Sequence, residues 1–234
     1  MRTFLFGVAV LAAAAVATSA YGADMPVKAA PAPVIAPTWN GTYIGINGGY
    51  GWGTSNQTIL GVATTGDYNI SGGLAGVTYG GNWQAGHVVL GFESDLDWTH
   101  LNGNIASATC LATNCFTNTR WLSTERMRAG WDFNGWLLYG TLGAAFADVK
   151  AGQDGCPATL CGDKSRGGWT AGVGVETMFW RNWSAKLEYL HYDLGRDITY
   201  TSAGLGGVQV LDRGDVIRAG INYHYDLMNL LHMF

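Results

Sequence analysis

The sequence predicts an all-β protein: a closed, up-and-down antiparallel transmembrane β-barrel of about eight strands. Three observations carry that prediction. Apolar residues alternate with Gly and polar residues in successive segments, the links between segments are alternately short and long, and tryptophans stand at both ends of the segments. Composition removes the alternatives. The 234 residues include 35 Gly, 10 Trp and 11 Tyr but only 5 Pro, and 13% are charged. A disordered chain would lack the aromatics, a collagen would show a Gly period, and a coiled coil would be rich in Glu and Lys. A net charge of −4 supplies no basic field for nucleic acid, which is excluded as a partner.

The first element is an address. Arg2 is a positive leader, Phe4 to Ala17 is apolar, and Ala20-Tyr21-Gly22 is a small-x-small cleavage site, so residues 1–22 read as a secretory signal peptide. The apolar run is shorter than the roughly 20 residues of a spanning helix. Residues 23–38 hold Pro26, Pro31, Pro33 and Pro37 in an Ala-rich frame and read as an extended periplasmic tether. Proline then returns only at Pro157, as expected of strands that need every ladder donor.

The barrel is expected over residues 39–225. In Tyr43 to Trp52 one face carries Ile44, Ile46, Gly48, Tyr50 and Trp52, and the other carries Gly45, Asn47, Gly49 and Gly51. In His87 to Trp98, Val88, Leu90, Phe92, Leu96 and Trp98 oppose Glu93, Asp95 and Asp97. Leu74 to Trp83, Trp121 to Trp131, Trp136 to Phe146, Trp169 to Trp180, Trp183 to Leu194 and Val216 to Tyr225 repeat the pattern. Short links fall at residues 84–86, at Asp132 to Gly135 with its Asn-Gly hairpin signal, and at Arg181-Asn182. Long links are expected at Thr54 to Tyr68, Thr99 to Arg120, Asp148 to Gly168 and Gly195 to Asp215. Short turns on one side and long loops on the other is the arrangement of a bacterial outer-membrane barrel. The tryptophans form two interfacial girdles: Trp52, Trp98, Trp121 and Trp169 beside the long links, and Trp39, Trp83, Trp131, Trp136, Trp180 and Trp183 beside the tether and short turns. A soluble barrel would instead put its large apolar residues inside.

Several stretches resemble a known group, the eight-stranded outer-membrane β-barrel proteins of the porin-like, immunogenic surface-protein family. They are Trp39-Asn-Gly-Thr-Tyr-Ile-Gly45, Gly48 to Trp52, Gly91 to Trp98, Thr124 to Gly130, Gly172 to Glu176 and Lys186 to Tyr189. The resemblance implies an outer-membrane location and a surface role in the cell envelope. The last strand, with Arg218, Gly220, Tyr223 and Tyr225, looks like the assembly signal that such barrels present to the insertion machinery. Asp226 to Phe234 departs from that pattern and is expected to be a C-terminal tail.

If the apolar face meets lipid, the lumen collects Glu93, Asp95, Asp97, Glu176 and Glu188 with Arg126, Arg128, Lys186 and Arg218. An eight-stranded interior is barely wide enough for its own side chains, so these charges are expected to pair and plug it. Catalysis finds no support: none of His87, His100, His191, His224 and His232 has a serine two positions away on its own strand face. No catalytic residue, metal or cofactor is assigned. Cys110 with Cys115 and Cys156 with Cys161 lie in two long links and read as disulfides, local pairing being the simplest of three connectivities. The expectation is a monomeric structural protein whose partners are outer-membrane lipids, lipopolysaccharide and the barrel-insertion machinery. The alternatives are a narrow porin for small solutes, and an adhesin or receptor acting through the cysteine-pinned loops.

Overall fold

A computed structural model describes residues 38–59, 63–110, 114–155, 161–202 and 206–225. The expected signal peptide, the tether up to Pro37, and the tail lie outside the described residues. Eight long antiparallel strands follow one another around a ring: β1 (Gly41–Ile59), β3 (Tyr68–Ala85), β4 (Val88–Ala106), β5 (Asn114–Asp132), β6 (Trp136–Gln153), β7 (Cys161–Trp180), β8 (Trp183–Ser202) and β9 (Gly206–Tyr225). A two-residue strand β2 (Ala63–Thr64) folds back on the end of β1. Each long strand pairs with its neighbour in sequence, and β1 pairs with β9 from Thr42–Tyr225 to Ile59–Val208, which closes the barrel and removes its edges.

Turn chemistry sets the short end. Asn134 (φ 57°) and Gly135 (φ 95°) are both left-handed, as the tight β5–β6 hairpin requires, and Gly86 (φ 61°) does the same between β3 and β4. The β7–β8 link has no glycine, and Arg181 takes a positive φ of 36° instead.

The far end corrects the expected loops. Most of Thr54 to Tyr68, Thr99 to Arg120, Asp148 to Gly168 and Gly195 to Asp215 is strand, so the barrel wall continues past the upper tryptophans. A 20-residue strand tilted by about 45° rises about 45 Å, well beyond an apolar band of about 25 Å. The physical reason is legible along β6. Inside positions 145, 147, 149 and 151 are Ala, Ala, Val and Ala and are buried, while outside positions 148 and 150 are Asp and Lys. Below that level Leu138 and Leu142 face outward, at 56% and 63% exposure, and Thr141 faces in. Side-chain parity holds along β6, and on β5 it shifts by one at the bulge between Thr119 and Trp121, but on both strands the apolar face moves inside once the outer solvent becomes water. The outward apolar face therefore ends at that level of the wall.

The interior is therefore layered. Trp39, Val89, Leu137 and Tyr139 form an apolar cluster at the short-turn end. Beyond the charged lumen residues comes a second cluster that includes Leu74, Leu122, Ala147, Leu190 and Val216, and nearest the rim a third of Ile59, Ala151, Tyr200, Val208 and Val210. At the rim a single 3₁₀ turn, Ala108–Cys110, precedes the Cys110–Cys115 disulfide. Cys161 is also disulfide-bonded, and its expected partner Cys156 lies outside the described residues. Near the rim, on the inner face opposite Val149 and Val210 in the register, Lys164 Nζ lies 2.9 Å from Asp197 Oδ2, and this hydrogen-bonded contact holds the Asp197 carboxyl below its ordinary range. Because the Cys110–Cys115 loop closes only a five-residue separation, reduction should cost about 2 kcal/mol and leave the ladder intact. Far-UV circular dichroism with and without reductant checks this; loss of the β signal would contradict it.

Candidate functional site: the charged lumen

The lumen residues come from alternate positions on β4, β5, β7, β8 and β9, whose inward parity aims them at one level of the barrel. Glu93, Asp95, Asp97, Arg126, Arg128, Glu176, Lys186, Glu188 and Arg218 are all at most 3% exposed. Arg126 is central. Its Nη2 lies 2.5 Å from Glu93 Oε1 and also bonds Asp95, and its Nη1 is 3.0 Å from Glu188 Oε1. Arg218 spans the opposite side: Nη1 is 2.8 Å from Asp97 Oδ2, Nη2 is 2.6 Å from Asp95 Oδ2, and Nε donates to Glu188 Oε2 at 2.9 Å. Lys186 Nζ sits 3.0 Å from Glu93 Oε1 but off the line of a hydrogen bond, so it acts as a point charge among Glu93, Asp95 and Glu188. Each of the five acids thus lies against at least one base.

Arg128 is held differently. It bonds Glu93 Oε2 at 3.1 Å and Glu176 Oε2 at 2.7 Å, and its guanidinium carbon lies 4.2 Å from the Tyr139 ring centroid and 5.5 Å from that of Tyr43. Both tyrosines fit because glycines face them. Gly80 pairs with Tyr43 and Gly174 with Tyr139, and a Cβ at either glycine would lie within about 2.5 Å of the ring. The hydroxyls donate inward, Tyr43 to Glu93 at 2.8 Å and Tyr139 to Glu188 at 3.1 Å. Tyr43, Tyr139, Thr78, Ser184, Asn222 and His224 were missed as lumen residues, although the parity of their strands with Asn47, Thr141, Lys186 and Arg218 was the available signal.

One arrangement could not be read from spacing along a strand. Ser184 Oγ lies 2.8 Å from His224 Nε2 and 2.5 Å from Glu176 Oε1, so a serine, a histidine and an acid from three strands meet. Ser184 is fully buried, and Asn222 and Arg128 also bind Glu176.

Trp39 corrects the girdle assignment. It is fully buried and stands edge-on to His224 at 5.8 Å, with Nε1 donating to Asp132 Oδ1 at 3.1 Å. Gln84 and the Gly135 amide also bind Asp132, so Trp39 closes the short-turn mouth instead of anchoring in the interface. Gly41 to Tyr43 already lie in the wall, between β3 and β9, and the buried side chains of Trp39 and Tyr43 face inward, where the indole fills the space that the turns leave. Replacing Trp39 by Phe keeps most of that bulk but leaves Asp132 one donor short, and should cost about 1–2 kcal/mol, read as a lower urea midpoint in lipid vesicles.

The other nine tryptophans face outward. Trp83, Trp98 and Trp180 are 60%, 61% and 66% exposed, and Trp121 is half-buried beside its register partner Trp98. In the last strand Arg218 and Gly220 face the lumen, whereas Tyr223 lies outside against Trp183 at 5.1 Å. The Tyr225 carbonyl accepts the Thr42 hydroxyl at 3.0 Å across the β1–β9 seam.

Residues 6–224 match the family model described as outer membrane protein beta-barrel domain. The chain belongs to this family. It is similar to a 31 kDa outer-membrane immunogenic protein of Brucella melitensis, 34% identical with 91% of this chain and 96% of that one covered. A 22 kDa outer membrane protein of Rhizobium leguminosarum is 35% identical over 68% of this chain and 65% of that one, and a 25 kDa outer-membrane immunogenic protein of Brucella abortus is 31% identical over 83% and 84%. The protein is an outer-membrane β-barrel, and its outer face carries exposed apolar side chains such as Ile46, Leu90, Leu138, Leu142 and Val173.

Proposed function

We propose that this outer-membrane barrel is a structural, surface-exposed protein of the cell envelope whose lumen is closed to solutes. The observation that carries the reading is the charged layer: nine ionisable side chains meet within the barrel with almost no exposed surface, and apolar clusters lie on both sides of it. A solute would have to break several buried ion pairs at once, each costly to leave unmatched. Ser184, His224 and Glu176 belong to this packing, because a fully buried serine has no approach for a substrate. The rim that stands above the membrane, pinned by disulfides, supplies the exposed surface, in keeping with the relatives' description as immunogenic.

The test is single-channel conductance of the chain without residues 1–22, inserted in a planar bilayer, beside the Arg126→Ala/Arg128→Ala variant. Silence from inserted wild-type protein is the expected result. Steady wild-type conductance that changes in the variant would overturn the closed lumen and make the protein a porin.

A further inference from the structure

The ladder between β7 and β8 is shorter than the two strands. It runs from Trp180–Trp183 up to Trp169–Asp193 and stops, although β7 continues to Cys161 and β8 to Ser202. The other flank of each strand stays paired over that height, β7 with β6 as far as Gly152–Cys161 and β8 with β9 as far as Ser202–Gly206. The fault therefore lies in one seam, just above Trp169. Its causes are local in sequence. Here β7 carries Gly162, Gly167 and Gly168, while β8 is bulged between Asp193 and Arg196, around left-handed Gly195 (φ 66°), and again between Ile198 and Tyr200.

The seam is pinched at both ends and open between them. A Cβ on Gly168 would lie 2.0 Å from the Asp193 carbonyl oxygen, and one on Gly162 would lie 2.5 Å from that of Thr199. Between these contacts water reaches the inner face from the side. Lys164 and Asp197 face inward opposite Val149 and Val210, yet their side chains are 45% and 44% exposed while both valines are at 0%. Ala151, the next inward position toward the rim from Val149, is also at 0%, so that exposure does not come from above. Side chains hold what the ladder does not. Lys164 Nζ pairs with Asp197 across the seam and also donates to the Ile198 carbonyl oxygen at 3.3 Å. Arg166, buried on the same face of β7, reaches past β8 to the Val210 carbonyl oxygen of β9. Its Nε and Nη2 have no hydrogen-bond partner among the described residues, and Nη2 stops 4.0 Å short of Asp212 Oδ2.

We propose that this seam is a lateral hatch in the upper wall, latched by the half-exposed Lys164–Asp197 pair. It parts to let water and small polar solutes reach Arg166 and Asp212 from the side while the rest of the ring stays closed. A half-exposed ion pair is a weak latch and is screened by salt, unlike the backbone ladders of the neighbouring seams. The charged lumen layer lies below the hatch, so the inference goes beyond the closed lumen and does not depend on it.

Hydrogen exchange of the folded protein in lipid vesicles, read by mass spectrometry, tests the parting. Residues 162–168 and 194–199 should each contain amides that exchange about tenfold faster than those of residues 145–149 of β6, which are paired on both sides at the same height. Lys164→Gln/Asp197→Asn should speed those amides further. If that variant lacks the folded band on unboiled gels, wild-type protein in about 1 M salt replaces it and should change in the same direction. Cysteine labelling tests the side entry. Val149→Cys, beside the latch, should react with a charged thiol reagent faster than Leu101→Cys, which is buried at the same level two strands farther from the seam, with wild-type protein as background. Exchange no faster than in β6 overturns the hatch, and fast exchange that neither the variant nor salt changes overturns the latch. Labelling of Leu101→Cys as fast as Val149→Cys overturns the side entry. Single-channel conductance reads the charged layer and these measurements read the seam, so failure of either reading is a separate result.

Discussion

Arg126→Met should destabilise the folded barrel by about 3–5 kcal/mol, the cost of removing one partner from a buried ion-pair cluster. The size follows from geometry. Arg126 is the contact shared by Glu93, Asp95 and Glu188, and it also donates to the Thr124 and Thr141 hydroxyls at 3.1 and 3.2 Å. With it gone, five lumen acids face three bases in a space that water does not reach. Methionine fills much of the volume, so the loss is electrostatic rather than a cavity effect. Adding Glu93→Gln removes one of the stranded charges and should recover part of the loss, since the two residues are in direct contact. Urea unfolding in lipid vesicles, followed by tryptophan fluorescence, gives both numbers. A cost below about 1 kcal/mol, or no recovery in the double variant, would mean that the charges are solvated and the lumen is not a paired network.

Gly49→Val should block closure of the barrel. Gly49 faces the lumen at the β1–β9 seam opposite Arg218, and a Cβ there would lie 2.2 Å from the Ile217 carbonyl oxygen and 2.7 Å from Arg218 Cα. These are backbone atoms, which cannot turn aside as a side-chain tip can. The strands must separate, and the seam joins the first and last strands, so no other pairing holds the ring shut. The cost should exceed about 3 kcal/mol, the upper end of ordinary overpacking, and most refolded protein should lack the compact band on unboiled gels. Gly48 is the internal control. It is the next residue and faces outward, and a Cβ there meets nothing nearer than the Leu74 carbonyl oxygen at 3.7 Å. Gly48→Val should fold normally; equal failure of both would assign the effect to β1 propensity rather than to the seam.

Strand order, the up-and-down topology and the membrane placement were legible in the sequence because each rests on a local signal. Alternation between lipid and lumen is readable within about ten residues, the Asn134-Gly135 turn announces its hairpin, and tryptophans mark the interfaces. The nine lumen charges followed from the same parity. Trp39 was misread because an aromatic beside a strand end looks the same whether it anchors outside the wall or turns into the mouth, and only its hydrogen bond to Asp132, 93 residues away, separates the two. The loops were overestimated because the sign of the alternation inverts where lipid gives way to water, and a pattern that changes sign loses its apparent period.

The sequence by itself determined which side chains point inward, since parity is a property of one strand. Only the tertiary structure decided which of them meet: Arg218 reaches Asp97 across 121 residues, Arg126 reaches Glu188 across 62, and His224 finds Ser184 across 40. Pairing across a barrel depends on the register of every strand between the partners and on the closing seam. Those are properties of the completed ring, in which a charge is matched only after all its walls are in place.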